Sequence, residues 1–191
     1  ITGGFFWANG RAIEIYNGDH ITVENLTSSE LYRGVNIAGG SGLVTVKNST
    51  FYHDGIAVVA SGATLVMTDN TVHQPGWGGF VLDSLVGLTA GNNVIHGSGG
   101  FGTSAGVELR NMDGLTIDDT CFTFAAPQYN FGIALYNMAN TTLRNFTLTS
   151  DGYNSHGVEI SDSRDIILDH IAASGFTMGV SVSGTSGLIT V

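Results

Sequence analysis

One short segment recurs along the chain: a glycine, an apolar residue, any residue, then a second apolar residue. It appears as Gly34-Val35-Asn36-Ile37, Gly55-Ile56-Ala57-Val58, Gly79-Phe80-Val81-Leu82, Gly106-Val107-Glu108-Leu109, Gly132-Ile133-Ala134-Leu135, Gly157-Val158-Glu159-Ile160 and Gly179-Val180-Ser181-Val182, with Ala12-Ile13-Glu14-Ile15 as an eighth copy. The starts lie 21 to 27 residues apart. That is too short for a repeat holding a helix and two strands, and right for one turn of a three-strand solenoid. A second strand follows each copy, for example Val44-Thr45-Val46, Leu65-Val66-Met67 and Ile166-Ile167-Leu168. Alternation of period two turns the flanking apolar residues inward and the middle residue outward. The pattern predicts an all-β solenoid of about eight three-strand coils, a single domain over residues 1–191.

Two residues after the second strand stands a column of Asn25, Asn48, Asp69, Asn92, Asp119, Asn145 and His170. Stacked coils lie about 4.8 Å apart, so an amide at this corner can bond its equivalents above and below. Asn also tolerates the left-handed backbone of a sharp corner. The column predicts an asparagine ladder. Three residues further, Phe51, Val72, Ile95, Phe122 and Leu148 form an inward column that places the third strand. With these features the chain resembles the right-handed parallel β-helices of the pectin-lyase-like superfamily, whose ladder lies between the second and third strands. The resemblance covers nearly the whole chain. It implies a right-handed parallel β-helix and, since most members act on or bind polysaccharides, a polysaccharide partner.

Composition narrows the partners. Sixteen carboxylates against six Lys plus Arg give a net charge of −10, which argues against nucleic acid or an anionic membrane. It also disfavours a strongly anionic polysaccharide unless Ca²⁺ bridges it. Cys121 is alone, so no internal disulfide framework exists. No apolar run approaches the roughly 18 residues of a membrane span. The chain begins at Ile1 rather than Met, so it is expected to be a segment of a longer chain or assembly. Its Gly, Ser, Thr and Asn richness suits a secreted or cell-surface protein.

Variation in coil length points to a site. From the coil start to the ladder residue the distance is 13 or 14 residues throughout, whereas from the ladder to the next start it is 9, 7, 10, 14, 13, 12 and 9. One-sided insertions in a repeat build a binding surface, here over coils four to seven. The long loops at 95–105, 123–131 and 149–156 carry His96, Phe101, Tyr129, Phe131, Tyr153 and His156, with Trp77 in the loop before them. Aromatic rings beside a groove suit the apolar faces of sugars, so Trp77, Tyr129, Tyr136 and Tyr153 are the expected substrate platforms. On the outward positions of the first strands stand Asp83, Glu108, Arg110, Tyr136 and Glu159, with His156 beside them. Asp83, Arg110 and Tyr136 share a register one coil apart each. Asp83 and Glu108 are the expected acid and base or nucleophile of a glycan reaction, with Arg110 and His156 stabilising charge and Glu159 close by. The plainer reading is that Asp83 and Arg110 form a cross-coil salt bridge on a solvated face.

Motifs of individual superfamily members do not fix a reaction. Ser155-His156-Gly157 resembles the Gly-His-Gly of polygalacturonases, and Gly79-Phe80-Val81-Leu82-Asp83 resembles a first-strand segment of mannuronan C5-epimerases. The polygalacturonase Asn-Thr-Asp and paired-Asp motifs are absent, and Ala57-Val58-Val59-Ala60 stands where the epimerase pattern places Asp-Pro-His-Glu. Whether the chain is a lyase, hydrolase or epimerase, or no enzyme, stays open. A pectate-lyase type of Ca²⁺ site needs clustered carboxylates on the groove, and Asp118 with Asp119 lies at a different corner, so no metal or other cofactor is expected.

The second strand offers a Thr column, Thr22, Thr45, Thr89, Thr116, Thr142 and Thr190, which an ice-binding solenoid would use. The neighbouring outward column of Glu24, Lys47, Asp118, Arg144 and Asp169 breaks any second Thr row. Both ends of the repeat array lack an evident cover. Phe5, Phe6 and Trp7 stand at one end, and the other stops within a second strand at Val191. The rival reading is therefore a structural module of an extracellular fibre, adhesin stalk or phage tailspike, associating end to end or as a homotrimer.

Overall fold

The computed structural model describes residues 1–7, 10–98, 105–128, 130–150, 155–184 and 187–191, and among these all regular structure is β. The repeated segment forms one long parallel sheet of eight strands: Arg11–Tyr16, Arg33–Ala38, Ile56–Ser61, Gly78–Asp83, Ala105–Arg110, Phe131–Tyr136, His156–Ser161 and Met178–Ser183. Eight strands in sequence order mark about seven turns of a parallel β-solenoid. Their register keeps two inward rows. One runs through Val35, Val58, Phe80, Val107, Ile133 and Val158, the other through Ile37, Ala60, Leu82, Leu109, Leu135 and Ile160. All twelve are buried. Each larger member contributes about 1.5–3 kcal/mol by leaving water.

The glycine that opens each segment is explained by the approach of the next coil. A Cβ on Gly79 would sit 2.4 Å from the Gly106 carbonyl oxygen, and one on Gly157 would sit 2.6 Å from that of Gly179. The second strands form two ladders: Ile21–Ser29, Leu43–Lys47, Thr64–Thr68 and Gly87–Gly91, then Thr116–Asp118, Ala139–Arg144, Arg164–Asp169 and Ile189–Thr190. No pairing joins the two among the described residues. The expected third-strand column runs through Phe51, Val72 and Ile95, but at coil five the register sets Phe124 opposite Ile95 and moves Phe122 opposite Asn93, although Phe122 and Leu148 are buried as expected. At the N-terminal end, Thr2–Trp7 pairs in parallel with Ile21–Ser29 and extends the third-strand stack by one row.

The predicted corner column does carry a cross-coil bond, Asn92 Nδ2 donating to Asp69 Oδ1 at 3.1 Å, but the buried ladder lies one residue later. Asn25, Asn48, Asp69, Asn92, Asn145 and His170 do take the left-handed corner, with φ from 49° to 61°, but that conformation turns their side chains outward and all are exposed. The residue after each corner points inward, and there Ser49, Asn70 and Asn93 are buried. Asn70 Nδ2 donates to Val46 O and to Asn93 Oδ1, both at 2.9 Å, and its Oδ1 accepts from Ser49 N at 3.2 Å. Asn93 Nδ2 donates to Met67 O at 3.0 Å and Cys121 O at 3.1 Å. Asp119 departs from the column. Cys121 N donates to Asp118 O at 2.9 Å, and the Asp118 carboxylate accepts from Thr120 N at 3.1 Å. A tight turn there absorbs two extra residues, since the offset between coils four and five grows from 27 on the long sheet to 29 on the third strand.

Candidate functional site

The outward face of the long sheet carries two columns. In one, Ser61, Asp83, Arg110, Tyr136, Ser161 and Ser183 are aligned, as the sequence register predicts for Asp83, Arg110 and Tyr136. The side chains do not pair in that order. Arg110 turns along its own strand to an ion pair with Glu108, and its guanidinium lies 5.5 Å from the Tyr136 ring centroid. Asp83 accepts instead from Asn111 Nδ2 at 2.7 Å and Ser84 Oγ at 2.8 Å. Asn111 Oδ1 in turn accepts from Asn137 Nδ2 at 2.7 Å. Ser84, Asn111 and Asn137 all occupy left-handed corners, with φ of 49°, 54° and 52°. Asp83 thus terminates an exposed amide ladder at the corner that follows the long sheet, and no Asp83–Arg110 ion pair forms among the described residues. The reason is reach: Glu108, two positions earlier on the same strand face, offers Arg110 a nearer carboxylate.

The second column runs Glu14, Asn36, Val59, Val81, Glu108, Ala134, Glu159 and Ser181. Here Glu108 and Glu159 stand on either side of Ala134, two coils apart. The alanine between them is fully buried, and Glu108 is only 7% exposed. His156 Nδ1 lies 2.7 Å from Glu159 Oε2, and Ser183 Oγ donates to Glu159 Oε1 at 3.3 Å. The His156 ring packs on Phe131 with centroids 5.3 Å apart. Burial pushes the Tyr136 phenol up from its ordinary value. The negative charges of Glu108 and Glu159 push it further, and Arg110 partly offsets them. A phenol that feels both carboxylates places Tyr136 beside the pair. The structure therefore brings Glu108, Arg110, Tyr136, His156 and Glu159 into one half-buried cluster over coils five to seven. Tyr129 and Tyr153, like Phe101, lie outside the described residues.

Trp77 belongs elsewhere. It directly precedes the fourth strand of the long sheet and leans across Gly55 toward coil two, where its ring meets Tyr32 edge to face with centroids 5.0 Å apart. Tyr32, Glu30 and His53 were not singled out from sequence. The available signal was positional: Tyr32, Gly55 and Trp77 each stand immediately before a long-sheet strand, an aromatic–glycine–aromatic series in three successive coils. On the third-strand face Tyr52, His73 and His96 stack at 4.7 and 4.6 Å. Among the described residues no group of three or more His, Cys, Asp or Glu side chains is placed to hold a metal ion.

Comparison with protein families matches residues 4–122 to the family described as right handed beta helix region. Comparison with curated proteins finds no match.

Proposed function

We propose, from the premise that this chain belongs to the right-handed β-helix family, that it is a polysaccharide-directed β-helix holding a glycan along the outward face of its long sheet over coils five to seven. The observation that carries the reading is the cluster around Ala134. Two carboxylates, Glu108 and Glu159, flank a buried small residue, with a phenol beside both and a guanidinium and an imidazole compensating their charge. A solvated scaffold face has no need to gather five such groups with Glu108, Glu159 and His156 mostly buried, because exposed ion pairs contribute little to stability. Sugars need this mixture: carboxylates and His to take hydroxyls, and Tyr136 to present a ring.

The same arrangement defines the chemistry to look for. Two strand spacings put the Glu108 and Glu159 Cα atoms about 9.6 Å apart, so the two carboxylates are offered as an acid–base pair on either side of one glycosidic linkage. In that role Glu108 and Glu159 replace the Asp83 and Glu108 pairing expected from sequence. A secreted or cell-surface setting is part of the proposal, since that is where extended glycans are met.

The test is a panel of neutral and acidic polysaccharides, read by gel retardation, by new reducing ends and by absorbance at 235 nm, with wild type, Glu108→Gln and Glu159→Gln. Reducing ends without absorbance at 235 nm, lost in both variants, assign hydrolysis, and reducing ends accompanied by that absorbance assign elimination. Retardation that weakens in both variants, with no product, assigns a binding module. A wild type that neither binds nor alters any glycan overturns the proposal and favours a structural stalk.

A further inference from the structure

The cleft at Tyr32 and Trp77 lies away from the carboxylate cluster, and it is built rather than incidental. About 400 Å³ of open space is lined by Tyr32, Trp77, Glu30, His53, Gly55 and Gly76, among others. Its floor is continuous parallel backbone: Gly55 N donates to Leu31 O at 2.6 Å, Gly76 N to Asp54 O at 2.7 Å and Trp77 N to Gly55 O at 2.7 Å. Beneath it the buried Asp54 accepts from Leu31 N at 2.9 Å and from Ser28 Oγ, so the loops on either side are braced from inside.

The walls are held as firmly as the floor. A Cβ on Gly55 would fall 2.7 Å from the Trp77 ring and 2.6 Å from Tyr32 O, so glycine is what lets the indole lie flat across that coil. Tyr32 is fixed by the edge contact with Trp77 and by the Arg33 guanidinium 5.3 Å from its ring centroid. Despite these contacts Tyr32 and Trp77 remain 48% and 44% exposed. Large aromatic surface that is ordered without being covered loses little conformational entropy when a ligand covers it.

We propose that this cleft is a second glycan subsite, which takes a neutral pyranose residue against the Trp77 ring with Glu30 and His53 bonding its hydroxyls. The inference rests on the polysaccharide-directed reading above and extends it to coils two to four. Ring stacking with a polar rim is the chemistry of sugar recognition. Among the described lining residues the only fixed charge is the Glu30 carboxylate, and no Lys or Arg is present. Together with the net charge of −10, this selects a neutral sugar over a uronate. Trp77 precedes coil four and Glu159 stands on coil seven. A chain running along the solenoid from one site to the other spans three coil spacings, about 14 Å.

The test is affinity electrophoresis of the whole chain in gels containing hydroxyethylcellulose, galactomannan, xylan or polygalacturonate, with Trp77→Ala, Trp77→Phe, Tyr32→Ala and Glu108→Gln, each checked for the wild-type circular dichroism spectrum. The expected result is retardation of wild type by a neutral polymer, weakened about tenfold in Trp77→Ala and Tyr32→Ala and largely restored in Trp77→Phe. Retardation that survives in Trp77→Ala but weakens in Glu108→Gln overturns the subsite and leaves the carboxylate groove standing. Equal loss in Trp77→Phe and Trp77→Ala overturns the ring platform. Preference for polygalacturonate overturns the neutral sugar. A wild type that no polymer retards overturns the groove and the subsite together.

Discussion

The two corners that flank the third strand are made from the same backbone and opposite side-chain rules. Between second and third strands the corner is sealed: Ser49, Asn70 and Asn93 point into the core and consume the backbone groups that the turn would leave unpaired. Between third strand and long sheet the corner is open. There the backbone ladder pairs with itself through Leu31, Gly55 and Trp77, and although Asp54 and Ser155 turn inward, the neighbouring side chains project outward and the segment length varies. A buried amide ladder cannot tolerate a change of spacing without orphaning polar groups, whereas the open corner can take insertions, aromatics and acids at small cost. The cleft follows that division, since its lining comes from the open corner, whereas the carboxylate cluster stands on the long sheet beside it and takes His156 from where that corner ends.

The largest effect expected from this contrast is at Asn70. Asn70→Ala removes two donated bonds and one accepted bond in a fully buried setting, taking a partner from Val46 O and Ser49 N and leaving Asn93 Oδ1 with only the long bond from Asn70 N at 3.4 Å. A loss of about 3 kcal/mol in urea denaturation is expected, with glycan retardation unchanged under conditions where the variant stays folded. A loss no greater than that of an exposed corner residue such as Asn48→Ala would erase the distinction between sealed and open corners.

How far the sequence foretold these details depended on what each detail is made of. The coil period, both inward rows and the Phe51 column as far as Ile95 were legible because apolar alternation is written locally and every coil repeats it, whereas the two residues added at the 118–121 turn set Phe124 in the place where equal spacing puts Phe122. The ladder was misplaced by one residue. A left-handed Asn and the inward residue after it both look like corner asparagines, and only φ, which decides which one faces the core, separates Asn92 from Asn93. Glu108, Arg110, Tyr136, His156 and Glu159 were legible as outward positions in one neighbourhood, because register follows from the repeat. The partner choice of Arg110 was not, since Glu108 and Asp83 are both within its reach and sequence does not rank them. The cleft escaped because Tyr32 and Trp77 belong to different coils and meet only when Gly55 lets an indole cross the row between them.

A second, smaller test concerns pH at the stacked rings beside the open corner. Burial lowers the pKa of His73 from its ordinary 6.5, and the charges of His96 and His53 lower it further. The unfolded chain then binds a proton that the folded chain resists. Stability is complete above about pH 6.5 and falls as pH drops through the folded value, with uptake of less than about one proton on unfolding. Asp54 acts with the opposite sign. Its carboxyl is pushed up from 3.8 by burial, so any stability it lends is lost as pH rises through its folded value. Urea midpoints between pH 7.5 and 5 should fall in wild type and flatten in His73→Phe, which keeps a ring between Tyr52 and His96. An identical slope in the two proteins would remove the stack from the account.

The smallest effect belongs to the charged column on the second strand, where exposure makes ion pairs nearly free to lose. Arg144 reaches the Asp118 carboxylate with Nη2 at 3.1 Å and Nε at 3.3 Å, and the Asp118 pKa is lowered to about 2. The first cause of that lowering is the Thr120 hydroxyl within the 118–121 turn, with Arg144 a lesser one. Asp118 therefore lends stability that is present above its ordinary 3.8 and lost as pH falls through about 2. Most of that stability should survive without the arginine. Arg144→Ala is expected to cost about 0.5 kcal/mol or less, fading with added salt, while Asp118→Asn should cost more because it disturbs the turn that absorbs the two extra residues of coil five. Urea denaturation of both variants at low and high salt checks this ordering. A larger and salt-sensitive loss in Arg144→Ala would mean that the cross-coil pair, and not the turn, holds this stretch of the solenoid in register.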